Sequence, residues 1–177
     1  TTRARIRGIA MEGNAQIVFV DTPGLFTPRR RLDRAMVAAA WGGAADADII
    51  VLLVEAHRGM TDGVQRIIES MRDRIPQGQP VALAINKIDR VPAEKLLALS
   101  AEANGLRDFA TTFMISAERG HGVEDLRRWL DAQPPWSDFP LLILTSQQVS
   151  RRLHAYRLEL MQVLGNVSLL ERPLSAV

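Results

Sequence analysis

At 177 residues, nearly half of them apolar, with a net charge of +2 and no cysteine, the chain suits one domain with a substantial core. Those figures exclude a disulfide framework, a thiolate metal site and a disordered chain, and they suit a reducing compartment such as the cytoplasm. No apolar run approaches the roughly 18 residues of a membrane span, and the charge is too small to demand nucleic acid, although the arginines cluster.

The chain opens with Thr1-Thr-Arg-Ala-Arg-Ile-Arg, where Arg3, Arg5 and Arg7 alternate with Ala4 and Ile6 as in a half-exposed strand. Glu12-Gly-Asn14 reads as a turn, so residues 4–11 and 15–20 are expected to pair as an antiparallel hairpin. Gly8 to Gly13 matches the start of a phosphate loop, but Asn14-Ala15 stand where Lys and Ser or Thr belong. A strand rather than a helix comes next, which leaves the hairpin reading.

Gln16-Ile-Val-Phe-Val20 is a continuous apolar run, the pattern of a strand buried on both faces of a parallel sheet. Asp21-Thr22-Pro23-Gly24 ends it, which puts a carboxylate and a glycine at the carboxyl edge, where open α/β sheets bind ligands. Asp21 can hold Mg²⁺ through a water, and Gly24 can offer an unobstructed backbone N–H to a phosphate oxygen. An ordinary strand-to-turn junction with a capping aspartate is the plain alternative.

A helix is expected over residues 32–41, with Leu32, Met36 and Ala39-Ala40 on one face and Gly42-Gly43 ending it. Residues 48–55 read as the next buried strand. Thr61 then caps a helix striped by Val64, Ile67, Ile68 and Met71. Residues 81–85 form a third buried strand, Pro92 opens a helix to about residue 103, residues 112–116 form the last strand, and residues 123–130 the last helix. Strands alternating with helices specify a doubly wound parallel α/β sheet.

Asn86-Lys87-Ile88-Asp89 comes directly after the third of these strands. A carboxylate at Asp89 can accept two parallel bonds from the N1–H and N2–H₂ edge of guanine, each worth roughly 1.5–3 kcal/mol. Adenine lacks that donor pair and would leave the carboxylate unpaired. Asn86 can bridge neighbouring loops and touch N7, the stem of Lys87 can cover a ring face, and Ser116-Ala117 can bring the Ala117 N–H to O6.

With these motifs in place, the sequence resembles the Era family of Ras-like translational GTPases. The resemblance rests on TTRARIRGI, VDTPGLF, RLDRAMVAAAW, ADIIVLLVEA, NKID and ISAERGHGVEDL, and covers about residues 1–133. It implies a Ras-like GTPase domain that binds and hydrolyses GTP with Mg²⁺, in a ribosome-assembly factor. The partners it implies are the small ribosomal subunit with its rRNA, bound through a C-terminal KH domain, and a peripheral membrane contact. By the same resemblance Thr2, rather than Thr1, contacts Mg²⁺ and the γ-phosphate, Asp21 is the metal-side carboxylate, and Gly24 senses the γ-phosphate. Leu25 occupies the place where many GTPases keep a water-orienting glutamine, which implies slow hydrolysis without a partner.

The family's first strand, phosphate loop and first helix would precede Thr1. The chain is therefore expected to be a piece of a longer protein or the product of a broken gene, missing the phosphate half of its site. That first strand normally sits centrally, between the strands at residues 15–20 and 49–54. Its loss leaves a gap of about 9–10 Å to be spanned, or forces a new pairing.

Residues 134–140 read as a proline-rich linker, and Ser137-Asp-Phe-Pro140 is similar to the segment leading into the family's KH domain. Residues 141–177 are expected to be a helical appendage, either a degraded or truncated KH start or unrelated sequence, with an amphipathic helix packed on the rest as the plain reading. Val149, Leu153, Tyr156, Leu160, Val163 and Leu164 fall on one helical face there, but no G-x-x-G loop is present. Arg29-Arg-Arg31 with Arg34 form a basic cluster that could meet RNA phosphates, although a solvated face explains it as well. His121 and His154 read as surface residues. Two alternatives stay open: another translational GTPase of the same class, and a binding module that hydrolyses nothing.

Overall fold

The computed structural model describes residues 6–12, 15–21, 37–38, 40–44, 47–133, 141–145 and 168–170. Strand β1 (Ile6–Glu12) and strand β2 (Ala15–Asp21) form the expected hairpin, with Glu12 opposite Ala15 across the turn. Three βα units come next. They comprise β3 (Ile50–Glu55), α1 (Asp62–Arg74), β4 (Val81–Asn86), α2 (Ala93–Leu106), β5 (Thr111–Met114) and α3 (Val123–Asp131). Two further strands, β6 (Leu141–Thr145) and β7 (Ser168–Leu170), complete a seven-stranded sheet of order β5-β4-β3-β6-β2-β1-β7.

The β3–β5 half is double-sided, as the continuous apolar runs require. Ile50, Leu52, Val54, Leu83 and Ile85 face α1 and α2, whose Val64, Ile68, Met71, Leu96 and Leu99 close that layer. Val51, Ala82 and Ala84 face the opposite way, onto Val123, Leu126 and Leu130 of α3. Phe113 and Trp129 meet edge to face at the rim of that second layer, with ring centroids 5.7 Å apart. Helix α1 starts where Thr61 accepts the Val64 N–H on its side chain, and its buried stripe is Val64, Ile67, Ile68 and Met71.

Two features differ from the sequence reading. Helical residues continue through Gly42-Gly43 to residue 44. Ala44 is fully buried in the core and its carbonyl accepts from the Gln79 side chain, so packing carries the helix past the glycine pair. The second difference is larger. Leu141–Thr145, expected in a helical appendage, is a strand lying parallel between β2 and β3. Val20 pairs with Leu142, which pairs on its other side with Ile50. The expected gap is filled by a new pairing from downstream, because a five-residue run of Leu, Ile and Thr satisfies both exposed strand edges. The expected helical face at residues 149–164 lies outside the described residues.

Candidate functional site

The carboxyl ends of β3, β4 and β5 meet at one residue. Asn86, the last of β4, is buried, and its side-chain Oδ1 accepts the Lys87 N–H at 2.7 Å and the Ala117 N–H at 3.1 Å. Its carbonyl accepts the Ala56 N–H at 2.8 Å. One asparagine thus ties together the segments that leave all three strands, as a residue with two acceptor groups can.

Lys87 comes next, in the left-handed backbone region with φ of 64°. A non-glycine residue held there costs about 1–3 kcal/mol and persists only where its surroundings fix it. Here they do. Its N–H is on Asn86, and its ammonium pairs with Glu55 Oε1 at the end of β3. The two side chains are only 11% and 13% exposed, so the pair is largely withdrawn from water. The other Glu55 oxygen lies 3.6 Å from His57 Nε2 and 3.4 Å from Arg58 Nε.

Asp89 sits in a single 3₁₀ turn, Ile88–Arg90. The Ser116 hydroxyl donates to its Oδ1 at 2.7 Å, and Arg119 Nε is 3.8 Å from Oδ2. The Ser116 bond above all, then its own backbone N–H and the charges of Arg119 and Arg90, hold the Asp89 carboxyl below the usual carboxylate range, against the opposing effect of burial. The carboxylate is therefore ionised and oriented before any ligand arrives.

Ser116 and Ala117 are both buried. Ser116 N–H donates to the His121 carbonyl at 2.9 Å, closing a short loop that Gly122 turns into α3. Gly122 has φ of 69°, and a Cβ there would run into the Met114 carbonyl oxygen. No other residue type fits that position without moving backbone. Because the Ala117 N–H is engaged by Asn86, its expected bond to a guanine O6 requires that donor to be shared or re-aimed.

Asn86, Lys87, Asp89, Ser116 and Ala117 are thus gathered at one edge of the sheet. Asp21 ends β2 at the same carboxyl edge, separated from β3 by β6, since Asp21 pairs with Ile143 and Ile143 with Val51. Thr1, Thr2, Thr22, Pro23, Gly24, Leu25, Arg29–Arg31, Arg34 and His154 lie outside the described residues. Among the described residues no cluster of three metal-ligating side chains occurs, and His121 enters the site through its backbone. Sequence reasoning passed over Glu55 and Arg119. A lone carboxylate closing the apolar run of β3 was the available signal for Glu55. Arg119 in an exposed turn gave none.

Residues 1–87 match the family model described as a 50S ribosome-binding GTPase. The chain is 62% identical over 168 residues to the GTPase Era of Dinoroseobacter shibae, covering 87% of this chain and 54% of that protein. It is 51% identical over 164 residues to the GTPase Era of Mesorhizobium japonicum, covering 87% and 52%. Over that half of their length, this chain is similar to the GTPases Era. Its fold agrees. A single-residue variant of Aquifex aeolicus Era bound to GDP·AlF4⁻ superposes with a TM-score of 0.66 at 28% identity, over 87% of this chain and 52% of that one. Era in complex with MgGDPNP and nucleotides 1506–1542 of 16S ribosomal RNA gives 0.65 at 30% identity, over 78% and 48%. The chain spans about half the length of the curated Era relatives it matches. Both Era structures hold guanine nucleotides. The comparisons give no support to the expected peripheral membrane contact, and no described helix is long and apolar enough to cross a membrane.

Proposed function

We propose that this chain carries the base-reading side and the metal-side carboxylate of a GTP-binding, GTP-hydrolysing site in a cytoplasmic ribosome-assembly factor that works on small-subunit RNA. The observation that carries the reading is the preset Asp89 carboxylate, held ionised by Ser116 beside the Asn86 junction. Two oriented acceptor oxygens match the two donors on the guanine edge, and only guanine among the common bases repays their desolvation. Lys87 lends its stem to a ring face. On the phosphate side, Asp21, Thr22, Pro23 and Gly24 would face the γ-phosphate and Thr2 with Asp21 would hold Mg²⁺, which neutralises developing charge on the phosphoryl oxygens. Leu25 has no group to orient water, so a partner must complete the hydrolytic machinery.

Residues 134–140 act in this reading as a linker after a GTPase domain at residues 1–133, with Leu141–Thr145 and Ser168–Leu170 completing its sheet. Without the phosphate-loop pattern G-x-x-x-x-G-K-[S/T] among the 177 residues, base contacts alone support an affinity near the millimolar range, about −4 kcal/mol.

Base choice tests the reading. Amide chemical-shift titration of the 177-residue chain is expected to show a clear preference for guanosine monophosphate over adenosine monophosphate. Asp89→Asn is expected to move that preference to xanthosine monophosphate, whose carbonyl replaces the guanine amino group. A guanosine preference untouched by Asp89→Asn would remove Asp89 from base reading.

A further inference from the structure

We infer that Glu55 is a positioning residue for nucleotide binding, clamping Lys87 so that its stem is laid out to cover the base; the inference rests on the guanine reading above. Lys87 is held at both ends. Its backbone N–H is on Asn86 Oδ1, its ammonium is on Glu55 Oε1, and its own backbone is in the left-handed region. The four-carbon stem therefore runs between two fixed points at the ends of the paired strands β3 and β4. A free lysine side chain would lose its rotamer freedom only when a base arrived, which weakens binding. Here that loss belongs to folding.

A purely structural role for the pair is the competing explanation, and three observations weigh against it. Glu55 and Asn86 are already ladder partners, and the Ala56 N–H to Asn86 carbonyl bond ties the same two segments again. The Glu55 carboxylate is also bracketed by His57 and Arg58 from its own loop, so its direction does not depend on Lys87. What the ion pair adds to these links is the placement of the lysine itself. Glutamine at position 55 keeps the shape of the side chain and removes the charge that draws the ammonium across.

The test is a two-residue cycle on the full chain, read by amide chemical-shift titration with guanosine, inosine and adenosine monophosphates. Inosine lacks the 2-amino group, so the guanosine-to-inosine ratio reports Asp89 and is blind to ring cover. Glu55→Gln is expected to weaken guanosine and inosine monophosphate equally, by about fivefold to tenfold, the range of a cation and its stem lifted off a ring face. In a Lys87→Met background the same change is expected to have no further effect. Glu55→Asp keeps the charge but shortens its reach, and serves the same comparison if Glu55→Gln does not fold. Unchanged binding, an equal loss in the Lys87→Met background, or an altered guanosine-to-inosine ratio would each overturn the inference while leaving the guanine reading in place. A wild-type chain with no preference for guanosine over adenosine monophosphate would instead remove that reading and this inference with it.

Discussion

The two halves of the sheet are assembled on opposite principles. In β3–β4–β5, each strand lies beside the next one in the sequence and a helix covers every crossover. In β6–β2–β1–β7, only the hairpin is local. Phe19 pairs with Leu141, and Arg7 with Leu170, so strands from opposite ends of the chain close this half. Local units form early and at low entropic cost, whereas distant pairings must first close long loops. The difference coincides with the division of the proposed site. The residues proposed to read the base sit on the locally assembled half, and the expected metal-side carboxylate, Asp21, sits on the half that depends on distant closure.

The comparison can be broken most forcefully at Ile143, the residue of β6 that pairs with Asp21 on one side and Val51 on the other. Proline there removes a donor from a strand flanked on both sides and is expected to cost about 3 kcal/mol or more. Amide exchange of Ile143→Pro is expected to show protection lost first in β1 and β2 while β3–β5 keep theirs. Simultaneous loss across all seven strands would mean that the halves fold as one unit. A somewhat smaller effect, about 2–3 kcal/mol by chemical denaturation, is expected for Gly122→Ala, which forces a Cβ against the Met114 carbonyl at a positive φ. Its disturbance is expected to centre on the Ser116–Ala117 loop, so the guanosine response of Asp89 should fall further than the protection of β2.

The smallest effect sharpens the comparison through pH. The Asp89 carboxyl titrates below its ordinary value because Ser116 favours the charged form, so its contribution is fully present above the unfolded value near 3.8. That contribution is lost as pH falls through the lower folded value. Ser116→Ala removes the leading cause and is expected to raise the Asp89 midpoint toward the ordinary range, which carbon-detected titration of its carboxyl would register. An unmoved midpoint would assign the depression to the Asp89 backbone N–H and the charges of Arg119 and Arg90.

Much of the locally assembled half was legible in the sequence. The continuous apolar runs, the Thr61 cap, the stripe of α1 and the Pro92 start all correspond to observed elements, because each is set by neighbours in the chain. The cluster of Asn86, Lys87, Asp89, Ser116 and Ala117 was legible for the same reason, since parallel strands deliver their trailing loops to one edge. Periodicity could not reveal the partners of β6. Leu141–Thr145 is short and apolar, a pattern that a buried helix shares, and its place between β2 and β3 is decided by free strand edges elsewhere. The Glu55 clamp was hidden likewise, because a carboxylate ending a strand does not announce which cation it meets.

The pairing of β1 with β7 bears on how the molecule yields to mechanical load. The two strands are antiparallel, with Arg7 opposite Leu170 and Ile9 opposite Ser168, so the chain enters β1 and leaves β7 at the same end of the ribbon. A tug applied ahead of Ile6 and beyond Leu170 meets these bonds one after another, as a zipper is opened, instead of loading them together in shear. Three residue pairs opened in sequence offer little resistance. A threading motor that grips this chain beyond Leu170 would therefore peel β7 first and expose the edge of the β1–β2 hairpin, long before it strained the helices that cover β3–β5.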